Sequence, residues 1–154
     1  MKILCLCLGN ICRSPTAEAV LRARAEARGL QLSIDSAGTG NWHAGEPPDH
    51  RAIAAAARRG YDLSMLRARQ ITGDDFQAFD LILAMDADNL HDAQSIAPAA
   101  PRAELVRFLD YAGMARAGAR GNVPDPWYSG GFDTVLDLIE TASEAILERI
   151  KPGT

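Results

Sequence analysis

One short stretch constrains this chain more than any other, the run CLGNICRS from Cys7 to Ser14. An apolar segment, residues 3–6, leads into Cys7, and Ser14-Pro15 has the residue types of a helix start. This order predicts a strand, a tight loop and a helix. The backbone N–H groups of such a loop and the positive end of the helix dipole converge on one point and favour a bound anion. Because a cysteine lies at the bottom of the loop and Arg13 at its rim, we predict a reaction site as well as an anion site.

Composition places the chain in the globular class and limits its partners. With 154 residues, 47% of them apolar and 23% charged, it can bury a substantial core, and we predict a single domain over residues 1–154. The net charge of −4 argues against nucleic-acid and acidic-membrane partners. The N-terminal apolar run is too short for a signal peptide, no run approaches a membrane span, and the three cysteines do not form a secreted disulfide framework. The expected location is the cytoplasm.

Strand and helix patterns alternate along the rest of the chain. This alternation predicts an α/β fold with a doubly wound parallel sheet, in which ligands bind at the carboxyl ends of the strands. Cys7 stands at such an end. A stretch with five glycines and two prolines, residues 113–131, is typical of a functional loop. The predicted strands are 2–8, 30–34, 81–85 and 104–109, and the predicted helices are 15–29 with Ser14 as N-cap, 49–59, 90–97 and 134–150.

Several segments occur in an order that is specific for one family. They are the loop CLGNICRSP, Asp35-Ser36-Ala37-Gly38-Thr39, Pro47-Pro48-Asp49, Ala68-Arg69-Gln70, Met85-Asp86 and Asp125-Pro126-Trp127-Tyr128. In these segments the chain resembles the low-molecular-weight protein tyrosine phosphatases. The resemblance implies a flavodoxin-like three-layer fold with a central four-stranded, twisted parallel sheet flanked by helices. It also implies metal-independent hydrolysis of phosphotyrosine through a cysteinyl-phosphate, without a cofactor.

The resemblance and the chemistry of the residues together assign the site. Cys7 is the predicted nucleophile, since a helix N-terminus and a nearby arginine favour the thiolate. Arg13 is expected to hold a phosphoryl group through its planar fork, and Asp125, kept extended by Pro126, is the predicted general acid and base. The predicted phosphate- and substrate-binding residues are Leu8, Gly9, Asn10, Ile11, Cys12, Arg13, Ser14, Trp42, Trp127 and Tyr128.

Other residues near Cys7 have expected roles of their own. Ser14 can cap the helix and also donate a hydrogen bond to the Cys7 thiolate. The family implies that Cys12 forms a reversible disulfide with the nucleophile. Asn10 can adopt a left-handed backbone, and Cys5 is expected to fill the core. The family also implies a phosphotyrosine-containing protein as partner, with a tyrosine kinase among the candidates, and inhibition by phosphate-like oxyanions.

The sequence departs from the family pattern at one place. Members often carry a histidine just before the Ala-Arg-Gln segment that supports the loop asparagine, but residues 64–67 here read SMLR. We expect a backbone group, a water or another side chain to hold Asn10 instead.

Other functions of the same fold, or of another class, are alternatives to a tyrosine phosphatase. Protein arginine phosphatases share the fold but carry threonine where Ile11 stands and tend to lack the paired aromatics after the aspartate. A non-catalytic phosphotyrosine-binding module is an alternative of another class. Thioredoxin-coupled arsenate reductases need cysteines far along the chain, and none follows Cys12.

Two hypotheses that require a bound metal fit the sequence poorly. The segment Asp86-Ala87-Asp88 resembles the start of a magnesium-dependent haloacid-dehalogenase-type phosphatase, but Leu90 replaces the expected Thr or Val. We instead expect Asp86 to orient groups behind the loop. A metal site built from the cysteines and histidines is disfavoured by the C-x-C-x4-C spacing; its candidate ligands are Cys5, Cys7, Cys12, His43, His50 and His91.

Overall fold

The sheet has the predicted parallel architecture. The computed structural model describes residues 1–151, apart from the side chain of Ser129, and the last part of the predicted domain, residues 152–154, lies outside the described residues. The strands run parallel in the order β2-β1-β3-β4. Their bounds are β1 Lys2–Cys7, β2 Ser33–Gly38, β3 Leu81–Ala84 and β4 Glu104–Arg107.

Helices cover both faces of this sheet, which confirms the predicted α/β fold. In the described range, no helix is both long enough and apolar enough to cross a bilayer. The helices are α1 Arg13–Ala27, α2 His50–Ala57, α3 Asp75–Ala78, α4 Ala87–Ile96, α5 Phe108–Tyr111, α6 Ala117–Arg120, α7 Pro126–Ser129 and α8 Phe132–Ile150.

Strand β1 is buried on both faces, as its unbroken apolar run predicts. Ile3 and Cys5 belong to the core cluster that includes residues of α1 and α8, whereas Leu4 and Leu6 belong to the cluster on the other face, with Phe76 of α3. Cys5 is fully buried, so its expected role in the core is confirmed. Side chains alternate between the faces of a strand, so Cys7 points to the same side as Cys5, towards α1.

The second strand does not lie where the sequence pattern placed it. The alternating run 30–34 predicts a strand there, but β2 spans Ser33–Gly38, because it pairs with β1 from Lys2↔Ser33 to Cys7↔Gly38. Polar residues therefore enter the sheet beside β1. Ser36 is buried there with hydrogen-bond partners, which makes its position tolerable.

The glycine-rich stretch 113–131 is only in part a loop. It contains the single-turn helix α7 and the four-residue segment α6, whose Gly118 and Ala119 have non-helical φ and ψ angles. Val123 donates its N–H to the carbonyl of Met85, just past β3. This bond brings the stretch to the carboxyl end of the sheet. Helix α8 begins at Phe132, two residues before its predicted start.

The strand order places the site. From β1 the chain passes to β2 on one side and then returns to β3 on the other side of β1. The connections after β1 and β3 therefore diverge, and ligands bind at such switch points in α/β sheets. Cys7 is the last residue of β1, at this switch point.

Candidate active site

The loop after β1 turns its carbonyl groups away from the site. We call residues 7–14 the anion loop. The carbonyls of Cys7, Leu8 and Ile11 accept hydrogen bonds from the N–H groups of Thr39, Gly40 and Asp49 at 2.8–3.0 Å, and the Cys12 carbonyl accepts from Thr16 Oγ1 at 2.7 Å.

The backbone N–H groups of the anion loop remain available for an anion. Among the described residues, those of Leu8 through Cys12 have no hydrogen-bond acceptor. The peptide bonds of the described residues are trans, so each N–H that follows an outward-bonded carbonyl points to the opposite side. The N–H groups of Leu8, Gly9, Cys12 and Arg13 therefore face inward.

Close backbone approach shapes this loop. Asn10 has a φ of 58°, the left-handed conformation that the sequence predicts for it. A Cβ at Gly38, the last residue of β2, would lie 2.7 Å from the Leu8 carbonyl oxygen, so only glycine fits beside the loop.

Asn10 is supported without the family's histidine. Its Oδ1 accepts from the Arg69 N–H at 3.0 Å, and its Nδ2 donates to Ser14 Oγ at 2.8 Å and to Ser36 Oγ at 3.0 Å. A backbone group and side chains therefore hold the asparagine, as predicted from the sequence. The side chains of Asn10 and Ser14 are buried beneath the cavity and do not line it.

The start of α1 differs from the prediction. Ser14 is not the N-cap, because α1 begins at Arg13 with Cys12 at the cap position. Ser14 is already inside the helix, and its Oγ lies 3.0 Å from Cys7 Sγ and 3.4 Å from the Ala37 carbonyl oxygen. Since the hydroxyl accepts from Asn10, its single hydrogen is free for the sulfur.

Arg13 is buried and held from behind. Its Nη1 donates to Asp86 Oδ2 at 2.6 Å and to the Val123 carbonyl at 3.0 Å. Burial alone would lower the pKa of Arg13, but the neighbouring Cys7, Asp86 and Asp125 raise it overall, so the guanidinium stays charged. Asp86 also caps α4 by accepting from the Asn89 N–H. The expectation that Asp86 orients groups behind the loop is confirmed.

Asp125 faces the same space from another part of the chain. We call residues 124–128 the Asp125 segment. The backbone of Asp125 is extended (φ −87°, ψ 113°), as its Pro126 neighbour predicts, and its Oδ1 accepts from the Trp127 N–H at 3.1 Å. Its Oδ2 lies 3.6 Å from Arg13 Nη2. A carboxyl group and a guanidinium therefore meet at the mouth of the loop.

Aromatic side chains form the walls of a cavity of about 230 Å³ over Cys7. Trp42 is 69% exposed and Tyr128 is 83% exposed, so neither belongs to the core. The Trp42 ring lies over Gly40, where a Cβ would overlap it. The lining consists of Cys7, Leu8, Gly9, Ile11, Cys12, Arg13, Trp42, His43, Asp125, Trp127 and Tyr128.

Two residues of this region were not assigned to the site from the sequence. His43 lines the cavity, with its ring centroid 5.7 Å from that of Trp127 and its Nδ1 2.6 Å from Glu46 Oε2. Arg51 of α2 lies over the Trp127 ring at 5.6 Å and donates to the Trp127 carbonyl. His43 lies in a loop without periodicity, where the adjacent Trp42 was the available signal. Arg51 is one of several arginines in and just after α2, so nothing in the sequence distinguished it.

The other two cysteines are not placed like Cys7. Burial, above all, raises the pKa of Cys5 and of Cys12 well above the usual value of a thiol. All three cysteines are free thiols in this structure. Cys12 lines the same cavity as Cys7.

Comparisons with known proteins agree with this geometry. The family model for low molecular weight phosphotyrosine protein phosphatase matches residues 2–153. A low molecular weight protein-tyrosine-phosphatase of Streptomyces coelicolor is 44% identical over 97% of this chain and 93% of its own.

Two solved structures are also similar. The crystal structure of YfkJ from Bacillus subtilis is 40% identical, with a TM-score of 0.89 over 98% of this chain and 94% of that one. The crystal structure of a Drosophila arginine phosphatase is 33% identical, with a TM-score of 0.87 over 100% of both chains. From the match over nearly its whole length, this chain belongs to the low-molecular-weight phosphotyrosine protein phosphatase family.

Proposed function

We propose that this chain hydrolyses phosphotyrosine in proteins in two steps, with Cys7 as nucleophile, Arg13 as phosphoryl clamp and Asp125 as acid and base. One observation carries the proposal. The inward N–H groups of the anion loop, the Cys7 sulfur, the charged Arg13 and the Asp125 carboxyl group meet in one cavity. A dianion at its bottom would be bound by backbone N–H groups and a guanidinium, with a nucleophile below it and a proton donor above it.

In the first step, Cys7 Sγ attacks phosphorus and the bond from phosphorus to the tyrosyl oxygen breaks. Asp125, in its acid form, gives its proton to that oxygen, so tyrosine leaves neutral. Arg13 Nη1 is occupied by Asp86 and Val123, which leaves the Nε and Nη2 edge for the equatorial oxygens. That charge stabilisation grows as the transition state spreads charge over those oxygens.

In the second step, Asp125 is a carboxylate and takes a proton from water as the water oxygen attacks phosphorus. The sulfur–phosphorus bond breaks, and inorganic phosphate and the Cys7 thiolate are released. The Ser14 hydroxyl, 3.0 Å from Sγ, stabilises the departing thiolate.

The cavity walls favour an aromatic substrate over phosphoarginine. Trp42, Trp127 and Tyr128 offer ring faces to a phenyl group, and such contacts contribute about 0.5–1.5 kcal/mol each beyond area burial. Ile11, which lines the cavity, offers the leaving group no polar partner through its side chain. The Drosophila relative named as an arginine phosphatase makes phosphoarginine the necessary comparison.

The test compares phosphotyrosine and phosphoarginine peptides of one sequence in the presence of excess chelator. We expect metal-independent turnover with a higher kcat/KM for phosphotyrosine, and inorganic phosphate as a competitive inhibitor. Preference for phosphoarginine would establish the alternative substrate. Binding of the phosphotyrosine peptide without any turnover would instead indicate a non-catalytic binding module.

We also propose that Cys12 protects the nucleophile. A peroxide would oxidise the Cys7 thiolate to a sulfenic acid, and the Cys12 sulfur would then displace water from it to form a disulfide. The two residues line one cavity, which supports the pairing. After peroxide treatment and dithiothreitol, Cys12→Ser is expected to regain less activity than the unaltered chain. Equal recovery would contradict the role.

The remaining expectations on biology stay predictions. These are a cytoplasmic location, a phosphotyrosine-containing protein as partner with a tyrosine kinase among the candidates, no nucleic-acid or membrane partner, and one domain over residues 1–154. Identification of substrates trapped by the Cys7→Ser variant would test the partner directly.

A further inference from the structure

A buried carboxylate lies behind the anion loop and takes no part in the steps above. Glu18, on α1, is only 3% exposed. Its Oε2 accepts from Arg22 Nη2 at 2.6 Å, and its Oε1 accepts from Ser36 Oγ at 2.7 Å. A buried charge is tolerated when it is paired and hydrogen-bonded, but well-packed apolar residues in place of such a pair are often equally or more stabilising. Fold stability alone therefore does not explain why a carboxylate lies here.

The hydrogen bonds from Glu18 continue without a gap to the sulfur of Cys7. Ser36 Oγ accepts from Asn10 Nδ2 at 3.0 Å, Asn10 Nδ2 also donates to Ser14 Oγ at 2.8 Å, and Ser14 Oγ lies 3.0 Å from Cys7 Sγ. The five residues that form this chain of hydrogen bonds are each at most 5% exposed. Water therefore has little access to break the chain or to reverse its direction.

Two groups, the Arg69 N–H and the Glu18 carboxylate, determine the direction of the hydrogen bonds in this chain. The Arg69 N–H can only donate, so it holds Asn10 with Oδ1 towards Arg69 and both Nδ2 hydrogens towards the serines. An ionised Glu18 can only accept, so the Ser36 hydrogen points to Glu18 and the Ser36 lone pairs face Asn10. Ser14 then accepts from Asn10 and has its hydrogen left for Cys7.

We propose that Glu18 is a positioning residue, which acts through Ser36 and Asn10 to keep the Ser14 hydroxyl donating to the Cys7 thiolate. This inference rests on the proposed role of Cys7 as nucleophile. Glu18 does not touch the substrate. It removes the alternative in which the Ser36 hydroxyl rotates, Asn10 loses one acceptor and Ser14 turns towards the Ala37 carbonyl, 3.4 Å away.

Glu18→Gln separates this role from a simple charge effect. Arg22 Nη2 donates both to residue 18 and to the Ile34 carbonyl, and an amide hydrogen of the glutamine cannot face this donor. The glutamine oxygen is therefore expected to face Arg22 and its amide hydrogens to face Ser36, which reverses that end of the hydrogen-bond chain. The Cys7 thiolate would then lose support. Charge alone predicts the opposite, because removing a nearby negative charge favours a thiolate.

The readout is the pH profile of Cys7 alkylation by iodoacetamide, followed by mass spectrometry of the peptide that contains Cys7, since the thiolate is the reacting form. For Glu18→Gln we expect the profile to move up by about half to one pH unit, and kcat for an aryl phosphate to fall about 3- to 10-fold with less change in KM. A profile that stays in place or moves to lower pH would overturn the proposal.

A matched control and a second variant keep the test decisive. Glu140 also accepts from several side chains, namely Arg24, Arg59 and Tyr61, but it lies on α8 away from the loop. Glu140→Gln is expected to lower the melting temperature and leave the alkylation profile in place. A shift as large as that of Glu18→Gln would reduce the effect of Glu18 to general destabilisation and refute its role.

Ser36→Ala cuts the same hydrogen-bond chain and leaves Glu18 in place, so it tests the link even if Glu18→Gln does not fold. We expect the same upward shift, and no further shift in the double variant, because Glu18 acts through Ser36. An unmoved profile for Ser36→Ala, or additive shifts, would refute the chain. Absence of phosphatase activity in the unaltered protein would instead refute the proposed function, since the alkylation profiles do not depend on turnover.

Discussion

The two halves of the candidate site are held in very different ways. Arg13, in the anion loop, is 3% exposed. Three loop carbonyls, those of Cys7, Leu8 and Ile11, and the Asn10 side chain are hydrogen-bonded to neighbouring segments. In the Asp125 segment, the Asp125 side chain is 28% exposed and lies 3.6 Å from Arg13 Nη2. Within the described part of the chain, it accepts one hydrogen bond, from the N–H of its own neighbour Trp127. The groups proposed to bind the dianion are thus preorganised, whereas the proposed proton donor is more exposed and has fewer hydrogen bonds.

The difference follows from what each half has to do. A dianion is best stabilised by dipoles that need no rearrangement, so the loop belongs in the core at a strand end. The acid must meet leaving groups that enter and depart, and surface segments with few buried contacts move most readily. Variants of the loop groups proposed to bind the dianion should therefore impair binding and rate together, and variants in the Asp125 segment should impair mainly the rate.

The largest effect is expected for Cys7→Ser. A serine hydroxyl is a far weaker nucleophile than a thiolate, so turnover of an aryl phosphate should fall by about 10⁴-fold or more. The inward N–H groups remain, so calorimetry should still detect phosphopeptide binding. Cys5→Ser, two residues earlier on the same strand face, is the control and should keep its activity per folded molecule. Wild-type turnover in Cys7→Ser would defeat the assignment.

Asp125→Asn should have the second largest effect, and it changes the Asp125 segment alone. Loss of the acid is expected to lower kcat by about 10²–10⁴-fold for an ester with a poor leaving group. With a good leaving group such as p-nitrophenol, which needs less proton donation, the loss should be much smaller. Steady-state kinetics with both esters gives this ratio. Equal losses for the two leaving groups would remove Asp125 from the role of acid.

Arg13→Lys should impair both binding and rate, by about 10²–10³-fold in kcat/KM. An ammonium cannot hold two equatorial oxygens as a planar fork does, and it would lose the bonds of Nη1 to Asp86 and Val123. Arg107→Lys is a matched control, because Arg107 forms a two-pronged pair with Asp110 away from the cavity. An Arg13→Lys variant with unchanged phosphate affinity would show that the clamp lies elsewhere.

Arg51→Gln should have the smallest effect, and it tests how the Asp125 segment is held in place. Arg51 donates to the Trp127 carbonyl and lies over the Trp127 and Phe132 rings. Its loss should free the Asp125 segment and lower kcat about 3- to 10-fold, with phosphate affinity unchanged. Arg58→Gln is the control, because Arg58 lies at the C-terminal end of the same helix, α2, and is paired with Asp133. A loss of phosphate affinity in Arg51→Gln would mean that the two halves are not independent.

Local sequence was sufficient for the parts of this protein that depend on neighbouring residues. The apolar run of β1, the Asn10 turn and the extended backbone before Pro126 are each determined by the conformational limits of a few adjacent residues. The order of strands and helices then leads to a parallel sheet with Cys7 at a strand end.

Tertiary structure decided what depends on residues far apart in the chain. The bounds of β2 were set by pairing with β1, the serine that resembled a helix cap became the neighbour of Cys7, and Asn10 found support from Ser36 and Arg69. His43 and Arg51 joined the site only through folding. Such contacts are determined by packing and by the need to satisfy buried polar groups. Both act between segments that are far apart in the chain, and neither segment's local sequence indicates its partner.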